Sequence, residues 1–135
     1  DEHILLVDDD DRVAGMMSCM LESMGYTVTS FQDSRKALSQ FTRSPDRFDL
    51  VITDLTMPEI KGDRLAKELC RVRPDIAVIL YTGFGEVVDR GKGEALGKMD
   101  HIKGVLNKPV TAAKVSQLIR NVLADPASDG ENNVE

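Results

Sequence analysis

The chain of 135 residues contains no tryptophan, only 4% aromatic residues, two cysteines and two histidines. With no Cys-x-x-Cys and no His-Glu-x-x-His, and with His3 and His101 as the only imidazoles, the common zinc frameworks are excluded. Cys19 and Cys70 both fall in apolar helical stripes, so they are expected as reduced core thiols rather than disulfide or metal partners. No apolar run approaches the roughly 20 residues needed to cross a bilayer, and no basic stretch precedes an apolar one at the N-terminus. A soluble, cytoplasmic chain without a membrane segment is therefore expected. Positive charge is also scarce: 17 Lys and Arg stand against 23 Asp and Glu, for a net charge of -6. No cluster of basic residues dominates any segment, so direct nucleic-acid contact is not expected.

What is present suits one domain around one core, since 41% of the residues are hydrophobic. The stretch from Ile4 to Val7 reads as a buried strand that runs into Asp8, Asp9, Asp10 and Asp11. Val13, Met16, Met17, Met20, Leu21 and Met24 then recur at spacings of three and four before Gly25, as an amphipathic core-facing helix with a glycine stop. A short strand over residues 27–31 follows. Asp33 or Ser34 then caps a helix bearing Ala37, Leu38 and Phe41. Leu50, Val51 and Ile52 form a second buried strand that ends at Asp54, ahead of a loop with Pro58 and Gly62.

Leu65, Ala66, Leu69 and Cys70 mark a further helix, and residues 76–81 a strand buried on both faces that ends at Thr82 and Gly83. Residues 86–98 predict a weak or irregular helix, because Gly91, Gly93 and Gly97 each cost about 1 kcal/mol relative to Ala at an exposed helical site. A last strand over 102–106 leads to Asn107, Lys108 and Pro109. Thr111 caps a final helix with Val115, Leu118, Ile119, Val122 and Leu123 on one face. The polar, acidic stretch 125–135 lacks periodicity and is expected to be a disordered tail or linker.

Five repeats of strand then helix predict an α/β fold with a parallel sheet covered by helices on both faces. In the flavodoxin-like (βα)5 arrangement, a five-stranded sheet of order 2-1-3-4-5, ligands sit at the carboxyl ends between the first and third strands. Those strands end at Asp8 and Asp9 and at Asp54. An Asp at a strand end can simply form a turn by accepting from a backbone N–H. Three carboxylates gathered together would instead repel one another unless a cation intervened. Mg²⁺ suits such an oxygen site. Thr82 would bring a hydroxyl and Lys108 a compact positive charge to the same edge, and both suit a phosphoryl group carried on an aspartate.

The motifs ILLVDDD, DLVITDLTMPEIKG, ILYTG and NKP, in this order at the ends of strands one, three, four and five, resemble the receiver domain of two-component response regulators. The likeness runs from residue 3 to about 124, which implies a receiver domain over 1–124 and a tail over 125–135. It implies that Asp54 is the phosphoacceptor, Asp9 the main Mg²⁺ ligand with Asp8 assisting, and Thr56 a donor of its backbone carbonyl to the metal. Thr82 and Lys108 would bind the phosphoryl oxygens, and Lys108-Pro109 would be a cis peptide. Asp10 and Asp11 match no essential family position and are assigned to the N-terminus of the first helix, where acidic groups favour the dipole.

The implied function is a phosphorelay switch, phosphorylated by a histidine kinase or a histidine phosphotransfer protein and catalysing only its own phosphorylation and dephosphorylation. A downstream protein or a second copy would be met through the fourth helix, fifth strand and fifth helix. The stretch TGFGE and the glycine-rich fourth helical segment are similar to the receivers of hybrid sensor histidine kinases. Two positions depart from the family pattern or tune it. Val105 stands where receivers usually carry an aromatic residue, so switching is expected to rely on Thr82 and the loop after it. Phe84, two residues after Thr82, is expected to slow hydrolysis of the acyl phosphate.

Two other classes compete. A haloacid-dehalogenase-type phosphatase needs a second Asp two residues after the nucleophile, where this chain has Thr56. A pseudo-receiver, serving only as a protein-interaction module, would lack an acid, the Thr or the Lys, and all are present.

Overall fold

The structure is a computed structural model that describes residues 2–55, 57–82, 102–107 and 110–124. The expectations for Thr56, Phe84, the helical segment 86–98, Lys108 with Pro109, and the tail 125–135 fall outside those residues.

Local sequence sets the first crossover. β1 (His3–Val7) is followed by Asp10, whose carboxylate accepts from the backbone N–H groups of Arg12 and Val13 and so caps α1 (Asp11–Ser23). Asp11 lies in the first turn, where its charge suits the helix dipole. The helix stops at Gly25, whose φ of +99° is the left-handed conformation that glycine adopts without a steric penalty. β2 (Thr27–Phe31) follows. Asp33 then caps α2 (Ser34–Arg43) by accepting from the Arg35 N–H. A 3-10 turn at Pro45–Arg47 leads into β3 (Leu50–Asp54).

Beyond the loop, α3 (Gly62–Val72) crosses to β4 (Ala77–Thr82). β5 (Gly104–Asn107) precedes the C-terminal helix Ala112–Ala124, whose first turn is capped by the Thr111 hydroxyl, 3.2 Å from the Lys114 nitrogen.

All strand pairs are parallel, in the order β2-β1-β3-β4-β5, as the alternation predicts. Strand residues alternate between two cores. Leu5, Val7, Val51, Val78 and Leu80 pack with Phe41, Leu65 and Leu69 beneath α2 and α3. Ile4, Leu6, Ile52, Ile79 and Tyr81 pack with Met17, Leu21, Val115 and Ile119 beneath α1 and the C-terminal helix. Burying each large aliphatic side chain contributes about 1.5–3 kcal/mol relative to leaving it exposed, so β1, β3 and β4 form the most deeply held part of the sheet.

Two sequence expectations for α1 require correction. Met16 is 58% exposed and Cys19 is also exposed. The buried stripe is Ala14, Met17 and Leu21, and at 100° per residue both Met16 and Cys19 turn toward the opposite side of the helix. A spacing of three to Val13 or four to Met20 puts Met16 in the stripe on paper, but Met16 projects about 130° around the helix from the middle of the Ala14, Met17 and Leu21 stripe. Cys70 is half-buried, and burial pushes its thiol up, in keeping with an inert core thiol.

Candidate functional site

Strand register brings the predicted acids to one place. Val7 lies opposite Thr53 and Asp54 lies opposite Tyr81, so Asp8, one residue past β1, falls beside the end of β3. Its backbone N–H continues the ladder by donating to the Phe31 carbonyl at 3.0 Å. Asp8, Asp9 and Asp54 each offer a carboxylate oxygen, and these oxygens lie within 4.8 Å of one another. Asp8 and Asp54 are buried, whereas Asp9 is exposed. The cluster occupies the carboxyl edge between β1 and β3, where strand order reverses.

Asp8 is held from two sides. The Asp10 N–H donates to Oδ1 at 2.9 Å, and the Tyr81 hydroxyl donates to Oδ2. Tyr81 is fully buried. Burial, the hydrogen bond to Asp8, and the nearby charges of Asp8, Asp54 and Asp9 all raise its pKa, so the hydroxyl keeps its proton and remains a donor. The sequence reading counted Tyr81 only as the end of a buried strand. The available signal was its hydroxyl: a buried tyrosine usually finds a polar partner for its O–H, and the acid cluster lies beside the end of this strand.

The loop after Asp54 is tied to the sheet. Leu55 donates through its N–H to the Tyr81 carbonyl at 3.0 Å, and Gly62 donates to the Leu55 carbonyl at 2.8 Å. Farther along, the Ser34 hydroxyl accepts from the Ile60 N–H at 3.0 Å and anchors the loop to the start of α2. The structure therefore brings Asp8, Asp9 and Asp54 together and puts the Thr82 backbone at the end of β4, in register with Asn107. Val105 lies in β5 opposite Leu80, half-buried against the α2–α3 core.

The acidic cluster among the described residues offers carboxylate oxygens, a hard set that fits a small divalent cation such as Mg²⁺ better than zinc or copper. Among the described residues, no helix is long and apolar enough to cross a membrane.

Comparison with known proteins gives the same architecture. The solved receiver domain protein from Clostridium thermocellum superimposes with a TM-score of 0.82 at 30% sequence identity, covering 93% of this chain and 96% of that one. The receiver domain of the sensor histidine kinase PA1611 from Pseudomonas aeruginosa PAO1, solved with a magnesium ion coordinated in its active site cleft, shares the fold. Its TM-score is 0.78 at 21% identity, covering 92% of this chain and 98% of that one. The probable transcriptional regulator ycf27 of Porphyridium aerugineum is 35% identical over 133 residues, or 97% of this chain. The chain spans 52% of that relative's length. The family model for the response regulator receiver domain matches residues 4–120. With its sheet order and its acid cluster at the switch point, the chain belongs to the response regulator receiver domain family of two-component systems.

Proposed function

We propose that this receiver domain accepts a phosphoryl group on Asp54 from a histidine kinase or a histidine phosphotransfer protein. The observation that carries the reading is the convergence of the Asp8, Asp9 and Asp54 carboxylate oxygens within 4.8 Å at the strand-order switch point. A carboxylate at that edge can reach an incoming donor, whereas one in the sheet interior could not. In the transfer, an Asp54 Oδ–P bond forms as the P–N bond of the donor phosphohistidine breaks, and the electron pair leaves with the imidazole nitrogen.

Asp9 and Asp8, with the Thr56 backbone carbonyl and Asp54 itself, would hold Mg²⁺. The bound ion would neutralise phosphoryl charge at the site. Asp8 is braced for this by its two hydrogen bonds. Thr82 and Lys108 serve to bind the phosphoryl oxygens once they are in place. The added group carries about -1.5 to -2 charge, which draws such donors inward. The reading assigns 1–124 to the domain and 125–135 to a linker. It puts the protein in the cytoplasm, and gives the partner surface to the segment 86–98, β5 and the C-terminal helix.

The test is intact mass after incubation with acetyl phosphate, with and without Mg²⁺, for the wild type and Asp54→Asn. A gain of one phosphoryl group that requires Mg²⁺ and vanishes in the variant supports the reading. A folded, Mg²⁺-binding protein that gains nothing would instead be a phosphorylation-independent interaction module.

A further inference from the structure

We propose that Tyr81 is a positioning residue for the metal site, its hydroxyl fixing the orientation of Asp8 and thereby setting the affinity of the acid cluster for Mg²⁺. The inference rests on the functional reading above and extends it to a residue outside the acid cluster.

Asp8 is fully buried, so its carboxylate orientation is set by protein groups rather than by bulk water. An ionised carboxylate has about four lone-pair sites. Among the described residues, the Asp10 N–H takes one on Oδ1 and the Tyr81 O–H takes one on Oδ2, so each oxygen keeps a lone pair that these two donors do not use. The two donors differ in kind. The Asp10 N–H belongs to the turn that follows Asp8 itself, whereas Tyr81 reaches Asp8 from β4, with β3 lying between their strands. Tyr81 is also packed in the core beneath α1 and the C-terminal helix, so its ring has little freedom to follow a displaced carboxylate. Its backbone adds a further tie, since the Tyr81 carbonyl accepts from Leu55, the residue after Asp54. One residue thus braces both sides of the acid cluster. Groups that hold a metal ligand in this way are typically worth about 10–100-fold in affinity.

The chain offers an optical test, because it has no tryptophan and only two tyrosines, Tyr26 and Tyr81. In the Tyr26→Phe variant all tyrosine absorption comes from Tyr81. Titration with MgCl2 should shift the near-ultraviolet tyrosine band, with the same midpoint as binding measured by calorimetry. In Tyr81→Phe, which keeps the ring and removes only the hydroxyl, Mg²⁺ affinity should fall by about 10-fold or more. A tyrosine band that stays still while calorimetry records saturation overturns the proposal, as does an unchanged affinity in Tyr81→Phe. Should Tyr81→Phe not fold, the spectral titration decides alone. A wild type that binds no Mg²⁺ would overturn the functional reading itself, an outcome distinct from a wild type that binds while Tyr81 proves irrelevant.

Discussion

The backbone of Asp54 packs directly against Gly62: a β-carbon at residue 62 would come within 2.2 Å of the Asp54 carbonyl oxygen and 2.9 Å of the Leu55 α-carbon. The first turn of α3 is thereby pressed against the end of β3, behind the proposed phosphoacceptor. Both obstructing atoms are backbone, so no side chain can step aside. Gly62→Ala should therefore sit at or above the upper end of the usual overpacking range, about 3 kcal/mol of lost stability in urea denaturation. It should also impair phosphorylation by acetyl phosphate, because relief of the strain parts the first turn of α3 from the end of β3, where Asp54 lies. An unchanged denaturation midpoint would contradict this packing.

Ser34→Ala probes the other anchor of the same loop. Ser34 is fully buried, and its hydroxyl accepts from the Ile60 N–H. Loss of that acceptor should cost about 1 kcal/mol. Amide hydrogen exchange at Ile60 should accelerate while exchange in β3 changes little. Equal protection of Ile60 in the two proteins would show that the contact does not hold the loop.

Much of this arrangement was legible beforehand, for physical reasons. Parallel strands buried on both faces read as continuous apolar runs, so Ile4 to Val7 and Leu50 to Ile52 were recognisable, and their terminal acids came with them. The caps at Asp33 and Thr111 are equally plain, because these residue types carry side chains that reach backbone N–H groups, whereas Asp10 is read only as a charge favouring the dipole and proves to be the cap itself. The misjudged residues share one cause. Met16 and Cys19 are placed by spacing alone, and spacings of three or four to half-buried neighbours such as Val13 and Met20 do not fix which way the stripe of Ala14, Met17 and Leu21 faces. The link from Tyr81 to Asp8 joins residues 73 positions apart, and only the strand order makes them neighbours.

At the amino end of the sheet, His3 gives a pH dependence. Its ring lies at an edge-to-face angle to Phe48, with Nε2 2.6 Å from the Thr29 hydroxyl. Burial is the main cause that lowers its pKa below the usual 6.5, helped by Arg47 and opposed by Asp49. The folded state therefore binds this proton less readily than the unfolded chain. The contribution of His3 is fully present above pH 6.5 and is lost as pH falls through 6.5 toward the lowered value. Thermal melts of the wild type and His3→Gln should show the wild type losing more stability as the pH drops through that window. Parallel curves would contradict the assignment.

In the proposed function Asp54, and neither of the acids beside it, carries the phosphoryl group. Borohydride converts an aspartyl phosphate to homoserine, so reduction of the acetyl phosphate-treated protein followed by peptide mass spectrometry reads the acceptor position directly. The account predicts homoserine at residue 54, dependent on Mg²⁺, with Asp8 and Asp9 unmodified. Homoserine at residue 8 or 9, or at 54 to the same extent without Mg²⁺, would contradict it.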